Sequence, residues 1–395
     1  MLGPHQAHYI HPYAAKIAPE LARQAILDYS CAGELVLDPM AGSGTVALEA
    51  ALLKRRSVAI DLDPLAVLIA RVKTLPLNGQ AVNTLLDLEC AVWQVDEPLS
   101  SSLLDVNFWF DRDVAVDLTR IRYALSRIRS PELRLLGAIA MSSMVVAKGT
   151  GSVANARDVA HSRAHRYKAP RVKRPDVMEI WPRRVKKLAR ILQGLELGCQ
   201  LVPAVALADA RRLPIASDSV DLVVTSPPYF NAIDYPRAHK FSLAWLQGLF
   251  NALHIDYCTV SGELVGSVRA RVPTSSGLDK SWLRSSATAD ATLRSLTGNL
   301  QRAFECYVDD IDKVVREISR VLKRGRHAFI VVADSRARGI GVPNHVVVLE
   351  LASSHGLEVE IVGHREIDPS RRQMPIKGGL SGRIKREELL VLRKA

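Results

Sequence analysis

Glu34-Leu35-Val36-Leu37-Asp38-Pro39-Met40-Ala41-Gly42-Ser43-Gly44-Thr45 is the stretch on which the fold turns. Its first half is a short apolar run stopped by proline and then glycines, the pattern of a buried strand ending in a tight turn. Thr45 to Lys54, rich in Ala, Leu and Glu, is predicted as a helix. Ser57 to Asp61 reads as a second strand and Leu65 to Lys73 as a second helix, with Pro64 suited to its first turn. That alternation implies a parallel sheet with right-handed crossovers. Further along, Ala204 to Asp209 and Ser219 to Thr225 read as strands. Leu300 to Leu322 reads as a long helix, with Val308, Ile311, Val314, Val315 and Ile318 at helical spacing and Gly325 ending it. Ala328 to Ala333 is a fifth strand, Asn344 to Ser354 a helix, and Leu357 to Val362 with Glu388 to Leu392 a final pair. Seven strands in this order fit a doubly wound α/β sheet closed by a reversed, antiparallel hairpin.

Between Leu75 and Pro203 the rhythm stops. A gap of about 130 residues far exceeds a normal crossover. Helical patterns fill it at Asn83 to Val95, Ala115 to Arg129, Leu133 to Ala147 and Val185 to Leu197. Residues 75–204 are therefore expected to form a mainly helical inserted subdomain, with 1–74 and 205–395 making the sheet domain. Gly262 to Ser295, rich in Ser, Thr and Arg, reads as a mobile loop.

The 395 residues carry a net charge of +12, with 48% hydrophobic and 24% charged side chains, the balance of a soluble protein with a sizeable core. No run approaches the ~20 apolar residues of a membrane span, and the first residues lack a signal-peptide pattern, so a cytoplasmic location is expected. Five scattered cysteines with no C-x-x-C pair argue against a disulfide framework and a zinc ribbon. The basic excess is local: Lys148 to Lys187 holds twelve Lys or Arg against three acids. Such a run suits a polyanionic partner.

The glycine turn sits where a nucleotide-like ligand binds a parallel sheet, outside the carboxyl end of a strand. Gly42 and Gly44 can take positive φ and admit close approach. No Gly-Lys-Ser/Thr follows, so this is not a P-loop. Ala47 stands at the third-glycine position of a dinucleotide fingerprint, which leaves a dinucleotide open at this point. Asp61, at the end of the next strand, can accept hydrogen bonds from ribose hydroxyls. Asp63 could join it or simply cap the helix that Pro64 starts. Asp209, followed by Ala210, could meet an adenine amino group or cap its own turn.

The fourth strand runs into Thr225-Ser226-Pro227-Pro228-Tyr229-Phe230. Two prolines hold this loop extended and remove backbone donors, leaving carbonyls free to face the crevice. Together, Asp38-Pro39-Met40-Ala41-Gly42-Ser43-Gly44-Thr45 and Ser226-Pro227-Pro228-Tyr229 resemble the S-adenosylmethionine-dependent amino-methyltransferases that act on DNA. His11-Pro12-Tyr13-Ala14-Ala15-Lys16 looks like that family's N-terminal motif, beside the methionine part of the cofactor, and Arg365 to Pro375 with Arg386-Glu387 its C-terminal end. The resemblance implies the class I methyltransferase fold, seven strands with the last antiparallel. It implies S-adenosylmethionine held by Lys16, Asp38, Pro39, Ala41, Gly42, Gly44, Thr45, Asp61, Asp63, Asp209 and Ala210, and no metal. Ser226, Pro227, Pro228 and Tyr229 would be catalytic. Serine and proline acceptors would orient an exocyclic amine's lone pair, and Tyr229 would stack a flipped-out base. Met40 departs from the aromatic residue usual at its position. Serine at the first position looks like the cytosine-N4 branch, where the adenine-N6 branch more often has Asp or Asn.

Arg157, Arg163, Arg166, Lys168, Arg171, Lys173 and Arg174 interleave with His161, His165 and Tyr167 and are expected to bind nucleic-acid phosphates. His161 and His165 lack the further ligands a metal would need. The expected function is methylation of double-stranded DNA at cytosine N4 with base flipping, a cognate restriction endonuclease being a partner that this class allows. The alternatives are the same chemistry on adenine N6, an RNA-guanine amino-methyltransferase, and a non-catalytic nucleic-acid-binding scaffold. Only about thirty residues precede the first strand, which counts against an N-terminal RNA-binding domain.

Overall fold

The computed structural model describes residues 4–14, 16–75, 83, 97–147, 152–157, 159, 164–167, 175–195, 197, 201–231, 233–250, 264–265, 282–367 and 384–395. The sheet strands are β1 (Leu35–Asp38), β2 (Arg56–Asp61), β3 (Ala204–Leu207), β4 (Val220–Thr225), β5 (Leu322–Val332), β6 (Leu357–Glu366) and β7 (Arg386–Lys394). They lie in the order β6-β7-β5-β4-β1-β2-β3. Pairings are parallel from β3 through β5, and β7 runs antiparallel to both β5 and β6. The order reverses between β1 and β4, which opens a crevice at their carboxyl ends.

Side chains alternate across the sheet. Val36, Leu222 and Val224 face α1 (Pro19–Tyr29) and α2 (Thr45–Leu52), packing with Ile26, Val46 and Ala50. Leu37, Val220 and Val223 point the other way, into a core with the long helix Gly298–Val321. Burying β1 and β4 on both faces is what calls for the apolar runs Leu35-Val36-Leu37 and Leu222-Val223-Val224 there. A third cluster joins α3 (Pro64–Lys73) to α4 (Arg112–Arg127), α5 (Pro131–Val145), α6 (Val177–Gln193) and α7 (Tyr235–Leu246). The helices of the long crossover thus share one core with the sheet domain.

Three expectations need correction. The helix named α6 begins at Val177 rather than Val185, with Asp176 accepting from the amides of Met178 and Glu179. Pro182 lies inside it and forgoes one backbone bond, but Val177, Trp181, Val185 and Leu188 keep the buried stripe intact. Gly325 does not end the long helix, which passes straight into β5; the glycine takes φ +72° inside that strand, near a register shift against β4. The stretch expected as a mobile loop contains short helix Trp282–Ser285 and α8 (Ala287–Ser295). There Ser286 caps the Ala289 amide at 3.0 Å and is itself bound to Glu350. In residues 282–295 Ser286 serves as a cap and Asp290 pairs with Arg294; residues 262–263 and 266–281 lie outside the described residues. The expected helix from Asn83 to Val95 lies, apart from Asn83, outside the described residues.

Candidate active site

The turn after β1 is built around two glycines in the left-handed region, Gly42 at φ +49° and Gly44 at φ +74°. Gly44 precedes α2, and a Cβ there would sit 2.6 Å from the Ala70 Cβ and 2.9 Å from its Cα. Glycine is required at this point for both conformation and space. The Gly42 amide donates to Asp61 Oδ2 at 2.7 Å, and the Asp63 amide donates to Asp61 Oδ1 at 2.9 Å. Asp61 therefore braces the glycine turn as well as facing the crevice. Burial, and then the Asp63 charge, push its carboxyl up to about 7 against those two hydrogen bonds. Thr225 Oγ1 donates to Asp38 Oδ1 at 2.8 Å, tying the ends of β1 and β4 across the switch point. Burial likewise raises Asp38 to about 7.

A cleft opens beside this turn. Pro39, Gly42, Asp61, Asp63, Asp209 and Ala210 line one part of it, and Ser226 and Pro228 another. The cofactor turn and the catalytic loop, 184 residues apart between Gly42 and Ser226, share one cavity. Lys16, Asp38, Ala41, Gly44, Thr45, Pro227 and Tyr229 do not line it. Lys16 instead donates to the His8 carbonyl at 2.9 Å. The Tyr229 hydroxyl lies 3.3 Å from Ser226 Oγ, and its ring packs on the core beneath the sheet.

Both capping alternatives hold in part. Asp63 Oδ1 caps the Leu65 amide at 2.9 Å and Oδ2 pairs with His239, yet Asp63 also borders the cleft. Asp209 takes a forked contact from Arg211, which in turn reaches Asp310 at 2.8 Å. Lining residues that sequence reasoning missed are Tyr13, Leu62, Tyr235, Leu264 and Val265. Tyr13 stood inside the quoted N-terminal motif, and Asp234-Tyr235-Pro236 carries a helix-start pattern that could have marked the second tyrosine. Lys73, the last residue of α3, was also missed: it is 1% exposed and donates to Ser43 Oγ of the glycine turn at 3.0 Å.

Of the basic run, Arg166 is described. It is exposed on the hairpin pairing Ala156–Arg157 with His165–Arg166, its guanidinium 4.5 Å from the Phe108 ring centre. For Arg157 the backbone alone is described; Arg163, Lys168, Arg171, Lys173 and Arg174 lie outside the described residues. Among the described residues, no cluster of His, Cys, Asp or Glu could hold a metal ion, and no helix is long and apolar enough to cross a membrane.

The groups at the cleft fit S-adenosylmethionine: an open glycine turn for close backbone approach, and carboxylates of Asp61 and Asp209 as acceptors for hydroxyl and amino groups. The sheet order and the reversed last strand are those of the class I methyltransferase fold. Residues 3–71 match the N6/N4 methyltransferase family model, described as DNA methylase. The chain is 24% identical over 415 residues to type II methyltransferase M.MvaI of Kocuria varians, across 95% of this chain and 87% of the relative. A shorter match to type II methyltransferase M.AvaI of a Nostoc species is 29% identical over 153 residues, 36% of this chain and 32% of that one. Among solved structures, a SAM-dependent methyltransferase from Methanosarcina mazei overlaps at a TM-score of 0.36 and 10% identity, over 96% of this chain and 99% of the other.

Proposed function

We propose that this protein methylates the exocyclic amine of a base flipped out of double-stranded DNA, with cytosine N4 as the acceptor. The observation that carries this reading is that Ser226 and Pro228 border the same cleft as Gly42 and Asp61, at the switch point of the sheet. The names of the type II relatives support DNA as the polymer. Serine in place of an acid before Pro227-Pro228-Tyr229 supports cytosine over adenine. S-adenosylmethionine, when bound, supplies an electrophilic methyl group. Asp61 and Asp209 hold it by hydroxyl and amino groups, and the Gly42 turn lets it approach the backbone. Ser226 Oγ and the loop carbonyls accept from the substrate N–H bonds and aim the nitrogen lone pair; the Tyr229 hydroxyl holds Ser226 in place. No strong base is needed, since the methylated nitrogen is acidic enough to lose its proton.

Residues 75–204 serve in this reading as the target-recognition insertion on a catalytic domain of 1–74 and 205–395, as part of a restriction-modification pair with a cognate endonuclease. Arg166, exposed on its hairpin, and the basic residues around it contact phosphates. Changing Arg166, Lys168, Arg171 and Lys173 together to alanine should lower the slope of log K for DNA against log salt by up to about 0.9 per lost contact. An unchanged slope would return the run to ordinary solvated surface.

Cofactor affinity should depend on pH. The ionised Asp61 carboxylate is the hydroxyl acceptor, and its proton leaves near pH 7. Affinity should therefore rise as pH increases through 7, by at most about tenfold per unit below it. Calorimetry between pH 6 and 8 should show this slope, and Asp61→Asn should bind weakly with the slope flattened. The same shift acts oppositely on the ligand-free fold. Folded Asp38 and Asp61 keep protons that the unfolded chain has released, so their contribution to stability falls as pH rises from about 4 to 7.

A further inference from the structure

We infer that the short helix Val106–Trp109, with Lys240 of α7 and Arg166, forms a docking surface for the DNA flanking the flipped base. Phe108 lies against bases there, and the two cations against phosphates. This rests on the base-methylation reading and names residues that hold the polymer outside the cleft. The Phe108 ring is 44% exposed, whereas Val106 and Phe110 on either side of it are buried. The segment has its core anchors, and Phe108 is left outside them. Its backbone is pinned: Asp105 accepts from the Phe108 amide at 3.0 Å, and the Trp109 carbonyl accepts from the Asn155 amide at 2.7 Å. The Trp109 ring meets Phe241 of α7 edge-on at 5.1 Å, and Phe110 meets Trp245 at 5.4 Å. An exposed ring on a fixed segment loses little freedom when a partner packs on it.

Two cations flank the aromatic pair. The Arg166 guanidinium lies 4.5 Å from the Phe108 ring centre, and Lys240 Nζ lies 5.0 Å from that of Trp109. The Phe108 and Trp109 rings are themselves 5.0 Å apart. Cation, ring, ring and cation thus form one strip. Among the described residues neither cation is in an ion pair, and the acid beside them, Asp105, is engaged by the Phe108 amide. A guanidinium stacked by its face on a ring keeps its in-plane N–H donors, the geometry that phosphate takes. The strip also joins two regions of the proposed site. Helix α7 starts at Tyr235, which lines the cleft, and reaches Lys240 about 7.5 Å further along its axis. At the other end, Arg166 belongs to the hairpin of the basic run. A nucleic acid supplies what such a strip lacks: phosphates for the cations, and bases that stack on a ring or part around an apolar wedge.

The test compares Phe108→Ala, Phe108→Tyr and Lys240→Gln with the unaltered protein. Binding to labelled fragments of unmodified genomic DNA is titrated over a range of salt. Methyl transfer to the same DNA, cofactor affinity by calorimetry and thermal unfolding are measured alongside. Phe108→Ala should weaken DNA binding and raise KM for DNA by about tenfold, with cofactor affinity and the salt slope unchanged. Phe108→Tyr should keep most of the affinity, because the ring is retained. Lys240→Gln should instead lower the slope of log K against log salt by about 0.9, the share of one phosphate contact. If Phe108→Ala unfolds, Phe108→Gln replaces it, keeping length without a ring. Undiminished DNA affinity in Phe108→Ala, or an unchanged slope in Lys240→Gln, would overturn the docking surface. So would loss of self-association by Phe108→Ala in sedimentation with DNA binding intact, which would make the strip a protein contact. Unaltered protein that labels no DNA would refute the methylation reading itself.

Discussion

Replacing Ser226 with alanine should cut the rate of methyl transfer by about 10²-fold or more while cofactor binding stays near its original strength. The size follows from what the hydroxyl does. A neutral amine presents its lone pair to the methyl group only when its N–H bonds are held elsewhere, and misaligned reactants lose most of the advantage of proximity. Removing one preorganised polar contact at a reacting centre costs about 10²- to 10³-fold in comparable sites. Ser226 borders the cleft and is held by Tyr229, so it needs no rearrangement to act. The glycine turn and Asp61 are untouched by the change, which is why the cofactor should still bind. Single-turnover rates with calorimetry of the cofactor separate the two effects. A normal rate in Ser226→Ala would make the tetrapeptide a rigid turn and no more.

Gly44→Ala should be the most damaging single methyl group added anywhere in the turn. The residue sits at φ +74°, which costs a side chain about 1–2 kcal/mol. The added carbon would also lie 2.6 and 2.9 Å from the Cβ and Cα of Ala70, a buried residue of α3. Backbone atoms cannot rotate away, so α2 and α3 must separate, and overpacking of this kind costs about 1–3 kcal/mol more. A total loss of about 2–5 kcal/mol should appear as a lower midpoint in urea, together with loss of cofactor binding. An unfolding midpoint equal to that of the unaltered protein would show that the two helices are less tightly joined than their contact implies.

The central strands and both site loops were legible because each is local. Val36-Leu37 and Leu222-Val223-Val224 are apolar runs cut off by Pro39 and by Pro227-Pro228, and burial on both sheet faces demands that composition. Helix α6 was read eight residues short because Pro182 is a stop signal by local rules, while the buried Trp181 and Val177 that override it act through tertiary packing. The cleft was half legible. Tyr13 and Tyr235 stack across more than two hundred residues of chain, and Asp63 meets His239 across 176. Neither pairing leaves a trace in spacing. Lys73 shows the same limit: a basic residue in the last turn reads as a solvated partner of the helix dipole, yet it is buried against Ser43.

Labelled S-adenosylmethionine offered to unmodified DNA and to RNA, followed by nucleoside mass spectrometry, tests the central claim most directly. The account predicts label in DNA alone, on the exocyclic nitrogen of cytosine, and a sharp loss of it in Ser226→Ala. Label on adenine N6 would keep the chemistry and contradict the choice of base. Label in RNA guanine, or in neither polymer, would contradict the account itself.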